Sequence, residues 1–191
     1  MHARIYKELM GVKLVGVVDS NLDTAREIGR QYEVPVYDDL ERFIGERRPE
    51  AISVVVPTTQ HFAVACRLAE AGIHLIVEKP VTTTVDQASK LLEAAEGKNI
   101  VLQVGHVERF NSAVRYLSRQ MESEPLLIQS RRQGPFSPRI GDVGVVLDLM
   151  IHDIDIILSL VKSEIQSIRA MGRKGKTDHE DLAVAQIQFQ S

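Results

Sequence analysis

The sequence holds one cysteine, Cys66. A lone thiol cannot close an internal disulfide, and no Cys/His cluster has the spacing of a metal site. Cys66 lies in the helical run Phe62-Ala-Val-Ala-Cys-Arg-Leu68, where a small thiol packs as a hydrophobe. An excess of one charge is missing too. The 23 basic and 26 acidic residues leave a net −3, so no global field draws the chain to nucleic acid or an anionic membrane. There is no long apolar run and no signal-peptide pattern, which makes a cytoplasmic protein the expectation. A glycine-rich phosphate turn is also absent: G-x-G-x-x-G occurs nowhere. What remains is a globular composition, 44% apolar and 26% charged over 191 residues, enough for one large domain or one and a half small ones.

The stretch that organises the rest is His74-Leu-Ile-Val-Glu-Lys-Pro80. It reads as a buried strand delivering Glu78 and Lys79 at its carboxyl end, where open α/β sheets keep their ligands. Pro80 has no N–H for a ladder and biases Lys79 toward an extended backbone, so the strand stops there. An ordinary strand end with a solvated Glu-Lys pair is the plainer reading.

Around that strand the chain alternates. A helix over Met1 to Met10 stops at Gly11. Val12 to Val18 is an apolar strand ending at Asp19, and Ser20 and Asn21 can cap a helix over Asp23 to Tyr32. Val34 to Val36 is a short edge strand, and Asp38 opens a helix to about Glu46. Ala51 to Val56 is a strand halted at Pro57, and Gln60 to Ala71 a helix ending at Gly72. A helix over Val85 to Glu96 and a strand over Ile100 to Val104 complete the series. Apolar strands alternating with amphipathic helices imply a doubly wound parallel sheet with right-handed crossovers.

After Gly105 the texture changes. Helices are expected over Asn111 to Met121 and Val145 to Leu160, and strands over Leu126 to Arg132, Ile165 to Met171 and Leu182 to Phe189. This is the pattern of an α+β domain with a largely antiparallel sheet. The expected division is therefore 1–105 and 106–191, joined directly, with a crevice between the domains as a natural site.

Three constellations could carry chemistry. Asp19 ends a strand where a carboxylate can accept both ribose hydroxyls of an adenosine and repel a 2′-phosphate, favouring NAD over NADP; it could equally cap the next helix. Asp148 and His152 are i,i+4 neighbours in an apolar helix, with Asp155 three residues on, and read either as an oriented general base or as a self-satisfied core pair. Ala170 to Thr177 resembles a P-loop, but its first glycine is replaced and a strand follows, so it reads as a basic hairpin turn. If Lys79 and His152 meet across the crevice, His152 could accept an alcohol proton while Lys79 steadies the alkoxide and Asp148 orients the imidazole. The hydride acceptor would be a cofactor.

Met1-His-Ala-Arg4, Val56-Pro-Thr with His61, Ala71-Gly-Ile-His74, Glu78-Lys-Pro80, Gly105-His-Val-Glu-Arg-Phe-Asn111 and Asp148 with His152 and Asp155 together resemble the glucose-fructose oxidoreductase / inositol dehydrogenase (Gfo/Idh/MocA) family. Within it, Arg132 to Arg139 and Asp142 to Asp148 look most like UDP-N-acetylglucosamine 3-dehydrogenases. The resemblance implies a Rossmann-type domain followed by part of a substrate and oligomerisation domain. It also implies an NAD-dependent dehydrogenase of sugars or nucleotide sugars, and a homo-oligomer formed through the C-terminal sheet. Lys79, Asp148 and His152 match the family's catalytic positions. Asp19, Ser20, Pro57, Thr58, His61, Glu78 and Lys79 match positions that line the cofactor, and Arg109, Asn111, Arg131 and Arg139 are candidates near the sugar or its diphosphate. The family's first strand and glycine turn would precede His2, and its second domain runs beyond Ser191, so the chain reads as a fragment. A sensor or scaffold that binds nucleotide or sugar without turnover is the alternative, which the intact Lys79, Asp148 and His152 set disfavours.

Overall fold

The computed structural model describes residues 1–134 and 143–190. The first helix, α1 (His2–Glu8), ends where Leu9 turns extended, two residues short of the expected stop at Gly11, whose φ is +79°. There follow β1 (Val17–Val18), α2 (Leu22–Tyr32), β2 (Val36–Tyr37), α3 (Leu40–Arg47), β3 (Ala51–Val54), α4 (Thr58–Glu70), β4 (His74–Val77), α5 (Val85–Gly97) and β5 (Leu102–Val104). A 3₁₀ turn (Val107–Phe110) leads to α6 (Ser112–Gln120); a π turn (Val146–Met150) then runs into α7 (Ile151–Leu160), and β6 (Ile165–Arg173) and β7 (Leu182–Phe189) close the series.

Every neighbouring pair among β1 to β5 is parallel. β1 pairs with β2, and β3-β4-β5 form a second group in that order. β6 and β7 are antiparallel. The expected α/β architecture, a parallel Rossmann-type sheet followed by an antiparallel one, is what the chain adopts. The core lies where the helices cover β3 and β4: Val54, Leu75 and Val77 pack with Ala65 and Leu68 of α4 and Leu91 of α5, all almost fully buried. Cys66 is partly buried against this cluster, and burial pushes its thiol pKa up, away from the reactive thiolate. Among the described residues no helix is long and apolar enough to cross a membrane.

Four expectations are corrected. The strand over Val12 to Val18 contracts to two residues, because residues 12–16 find no ladder partner among the described residues and Pro35 of the neighbouring segment has no N–H to give. Leu126 to Arg132 forms no strand; Leu126 and Leu127 are exposed and no strand pairs with them among the described residues. The cap of α3 is Asp39, which accepts from the Arg42 amide at 2.6 Å, not Asp38. The helix over Val145 to Leu160 is continuous but opens with a π turn, which changes the phase of the side chains before Ile151.

Candidate active site

The site is built at the carboxyl end of β4. Val77 is fully buried, and the next two residues carry charge. Lys79, whose peptide bond to Pro80 is cis, sends its Nζ to the Asp148 carbonyl at 2.8 Å and to the Asp148 Oδ1 at 2.9 Å. Both side chains are about four-fifths buried. Such a charge-assisted pair holds the lysine head at one place. The expected meeting of Lys79 with the second half of the chain is therefore found, but through Asp148.

His152 lies four residues on, at the start of α7. Asp148 makes no hydrogen bond to it among the described residues, so the expected role of Asp148 in orienting the imidazole is corrected. The π turn moves Asp148 out of the i,i+4 phase that an unbroken α-helix would give, and Lys79 takes the carboxylate instead. The His152 Nδ1 is buried with no hydrogen-bond partner among the described residues. Burial, then the charges of Lys79 and Arg132, lower the His152 pKa from its ordinary value. The lowered pKa favours the neutral imidazole, the form that can accept a proton.

Glu78 points the other way. Its Oε1 lies 2.8 Å from the His2 Nε2 on α1, its Oε2 accepts from the Lys79 amide at 3.3 Å, and a Cβ built on Gly105 would stand 3.0 Å from that oxygen. The α1 helix is tied to β3 as well, through the Tyr6 and Ser53 hydroxyls.

The remaining expected residues divide. Asp19 ends β1 with Oδ1 accepting from the Asn21 amide at 2.8 Å, and Oδ2 makes no hydrogen bond to a described residue. Ser20 is exposed beside it. The cap of α2 is Asn21, whose side chain accepts from the Asp23 and Thr24 amides, so Asp19 holds the turn before the helix and does not cap it. Pro57 precedes α4 and Thr58 begins it, Pro57 exposed and Thr58 buried. His61 does not face open space: it is 2% exposed, with Nδ1 2.8 Å from the Pro80 carbonyl and Nε2 2.8 Å from the Val56 carbonyl. It braces the loop after β3 against the loop that carries Lys79. Asn111 caps α6 by accepting from the Ala113 amide at 3.0 Å. The Arg109 fork is engaged by Asp155, with Nε donating to Oδ2 at 2.8 Å and Nη2 to Oδ1, so it is not free to grip an anion. Arg131 is exposed, and Arg139 lies outside the described residues.

Two site residues escaped sequence reasoning. Arg132, not Arg131, reaches α7, where its Nε and Nη2 donate to the two Asp153 oxygens at 3.2 Å, and its charge acts on His152. Two adjacent arginines carry no signal for which one turns inward. His106 follows β5 with its Nδ1 buried and 3.9 Å from the Asp155 Oδ1. Its place right after a strand end, like that of Lys79, was the available signal.

The family described as "Oxidoreductase family, NAD-binding Rossmann fold" (GFO_IDH_MocA) matches residues 1–106, and the GFO/IDH/MocA C-terminal domain matches residues 105–191. The chain is 35% identical to the UDP-N-acetylglucosamine 3-dehydrogenase of Acidithiobacillus ferrooxidans, over 96% of this chain and 58% of that protein. It is 32% identical to the inositol 2-dehydrogenase/D-chiro-inositol 3-dehydrogenase of Shouchella clausii, over 92% and 53%. A solved structure of the Acidithiobacillus enzyme superposes with a TM-score of 0.89 at 34% identity, covering 99% of this chain and 61% of that one. GenD2 from gentamicin A biosynthesis, solved in complex with NAD, shares the fold, with a TM-score of 0.85 at 23% identity over 99% and 58%. The chain thus spans a little over half the length of the relatives it matches.

Proposed function

The chain belongs to the GFO/IDH/MocA family of oxidoreductases, and we propose that it serves an NAD-dependent oxidation of a hydroxyl on a sugar or nucleotide sugar, with C3 of UDP-N-acetylglucosamine as the first substrate to test. One observation carries this reading: the Lys79 ammonium is fixed against Asp148 while the neutral His152, its Nδ1 unpartnered among the described residues, lies four residues away. The likeness to the Acidithiobacillus enzyme supports the substrate.

The residues present fit a nicotinamide dinucleotide on two counts. The Asp19 Oδ2, at the carboxyl end of β1, is open to a ribose diol, and its charge disfavours a 2′-phosphate, which supports NAD over NADP. Toward the other end of the cofactor, Lys79, Glu78 and the Pro57-Thr58 start of α4 stand at the carboxyl ends of β4 and β3. When bound, NAD supplies the hydride acceptor. His152 would take the O–H proton of the alcohol as hydride leaves its C–H bond, giving a ketone. Lys79 steadies the negative charge that grows on the oxygen. Asp148 holds Lys79 in place. The apolar Met171, Val184 and Leu182, exposed on one face of the β6–β7 hairpin, support self-association through that sheet.

The test is to mix the purified protein with NAD and UDP-N-acetylglucosamine, with myo-inositol as the alternative alcohol, and follow NADH. Formation of NADH that is lost in His152→Ala supports the reading. NADH binding without any turnover on either alcohol would support the binding-module alternative instead.

A further inference from the structure

We propose that Glu180 is a positioning residue for the Lys79–Asp148 contact, acting from the turn between β6 and β7 through the start of the helix that carries Asp148. The role rests on the reading of Lys79, Asp148 and His152 given above.

The helical segment that begins at Val145 has no side-chain cap of its own. Amides in a first helical turn have no partner inside the helix and need one from elsewhere. Glu180 supplies two acceptors: its carbonyl takes the Val145 amide at 2.8 Å, and its carboxylate Oε1 takes the Val146 amide at 3.3 Å. The negative charge also sits at the positive end of the helix. Gly144 makes room for it. A Cβ at position 144 would stand 2.2 Å from the Glu180 carboxylate carbon and from both of its oxygens, so the carboxylate fills the space a side chain would take. The Asp148 amide donates to the Gly144 carbonyl at 3.0 Å. Asp148 is therefore carried on backbone that Glu180 fixes at both Val145 and Val146, and both atoms that Asp148 presents to Lys79 depend on that backbone.

The turn that carries Glu180 is itself fixed. The Asp181 Oδ2 accepts from the amides of Gly175, Lys176 and Thr177 at 2.7, 2.6 and 3.0 Å, and its Oδ1 accepts from the Thr177 hydroxyl at 3.1 Å. Those bonds hold its pKa at about 2 and keep it ionised. The amides that give Ala170 to Thr177 its likeness to a phosphate loop are thus already taken by a carboxylate of the chain. Glu180 and Asp181 divide the work: one acid closes the turn and the other reaches the helix. The antiparallel hairpin thereby becomes part of the frame around Lys79.

An ammonium that is bonded to Asp148 is shielded from acylation, so the rate of acetylation at Lys79 reads the contact directly. The experiment treats the purified chain with acetic anhydride and follows Lys79, with the exposed Lys13 and Lys98 as references, by peptide mass spectrometry. In Glu180→Ala, Lys79 should react about threefold to tenfold faster, the factor expected for one lost hydrogen bond, while Lys13 and Lys98 keep their rates. Gly144→Ala leaves Glu180 in the chain but displaces its carboxylate, and should do the same. Every variant keeps the Glu180 backbone carbonyl for the Val145 amide, and Glu180→Gln also keeps a side-chain acceptor for Val146, so it should restore most of the wild-type protection. The proposal is overturned if neither Glu180→Ala nor Gly144→Ala gives a rise confined to Lys79, whether because the rate is unchanged or because the reference lysines rise with it. The readout needs neither cofactor nor turnover, so its failure is separate from failure of the dehydrogenase reading.

Discussion

Lys79 gives two hydrogen bonds to a single residue, one to the Asp148 carbonyl and one to its carboxylate. The first holds the helix backbone and the second holds the charge, so a change at either residue alters both. On the mechanism proposed above, replacing Lys79 with Met removes the cation that would steady the alkoxide and should lower NADH formation by about 100-fold or more. It also removes one of the charges that hold the His152 pKa down. The His152 midpoint, followed by NMR of the imidazole Cε1–H, should therefore rise in Lys79→Met.

The pH dependence of stability follows from the same histidine. Burial and neighbouring cations depress its folded pKa below the ordinary value. Its stabilising contribution is then complete above the ordinary histidine pKa of about 6.5 and is lost as pH falls through the lower folded value, because the unfolded chain binds the proton first. In His152→Gln that part of the acid sensitivity is absent. Thermal melts at neutral and mildly acidic pH should show a smaller drop for the variant than for the parent; an equal drop would assign the acid sensitivity to other groups.

Arg109 should matter more to stability than to substrate affinity. Its fork closes on Asp155, which is 8% exposed and whose pKa that bond lowers. Arg109→Ala leaves a buried carboxylate with the His106 Nδ1 at 3.9 Å and the charge of His152 as its remaining basic neighbours among the described residues. The arginine side chain is itself almost half exposed, so the cost falls below that of a fully buried pair, at about 2 kcal/mol. Urea unfolding at neutral pH measures it. Protonation of Asp155 in acid offsets part of the loss, so the gap between Arg109→Ala and the parent should narrow as pH drops through the carboxylate range.

How far these features could be read in advance depends on whether they are local. The apolar runs Ala51–Val54 and His74–Val77, bounded by Pro57 and Pro80, specify buried parallel strands by themselves, and Lys79 falls at the right end of one. Asp148 and His152 are visible as a spacing, but the spacing assumes α geometry, and the π turn that diverts Asp148 to Lys79 has no sequence signature. Arg109 looks like an anion receptor until Asp155, 46 residues away, is found in its fork. His61 reads as a lining residue because nothing local shows that two carbonyls, one of them 19 residues on, bracket its ring.

Two glycines make a matched stability test. On Gly29 in α2 a Cβ would stand 2.3 Å from the Val36 Cγ1 and 2.9 Å from the Val34 carbonyl, so Gly29→Ala forces α2 away from β2 and should cost about 1–3 kcal/mol. On Gly45 in α3 nothing lies within 4 Å of the added carbon. There the substitution restricts the unfolded chain and suits a helix, and Gly45→Ala should gain about 0.5–1 kcal/mol. Opposite signs in chemical denaturation would confirm the α2–β2 packing; a neutral Gly29→Ala would refute it.

The proposed choice of cofactor can be tested at one oxygen of Asp19. Its Oδ1 is committed to the Asn21 amide, so on that proposal ribose recognition would depend on Oδ2 and on the negative charge. Asp19→Ser keeps a short acceptor for the Asn21 amide, which preserves the turn into α2, but removes the charge and the second acceptor. Loss of a charged hydrogen bond is worth about a factor of ten or more in affinity, so NAD binding should weaken by at least that much. NADP, no longer repelled at its 2′-phosphate, should bind better to the variant than to the parent. Titrating both reduced cofactors against both proteins by nicotinamide fluorescence separates the two effects. If NAD weakens and NADP does not improve, Asp19 acts through hydrogen bonding alone. If neither cofactor responds, the Asp19 carboxylate serves only the turn before α2, and the ribose is held elsewhere.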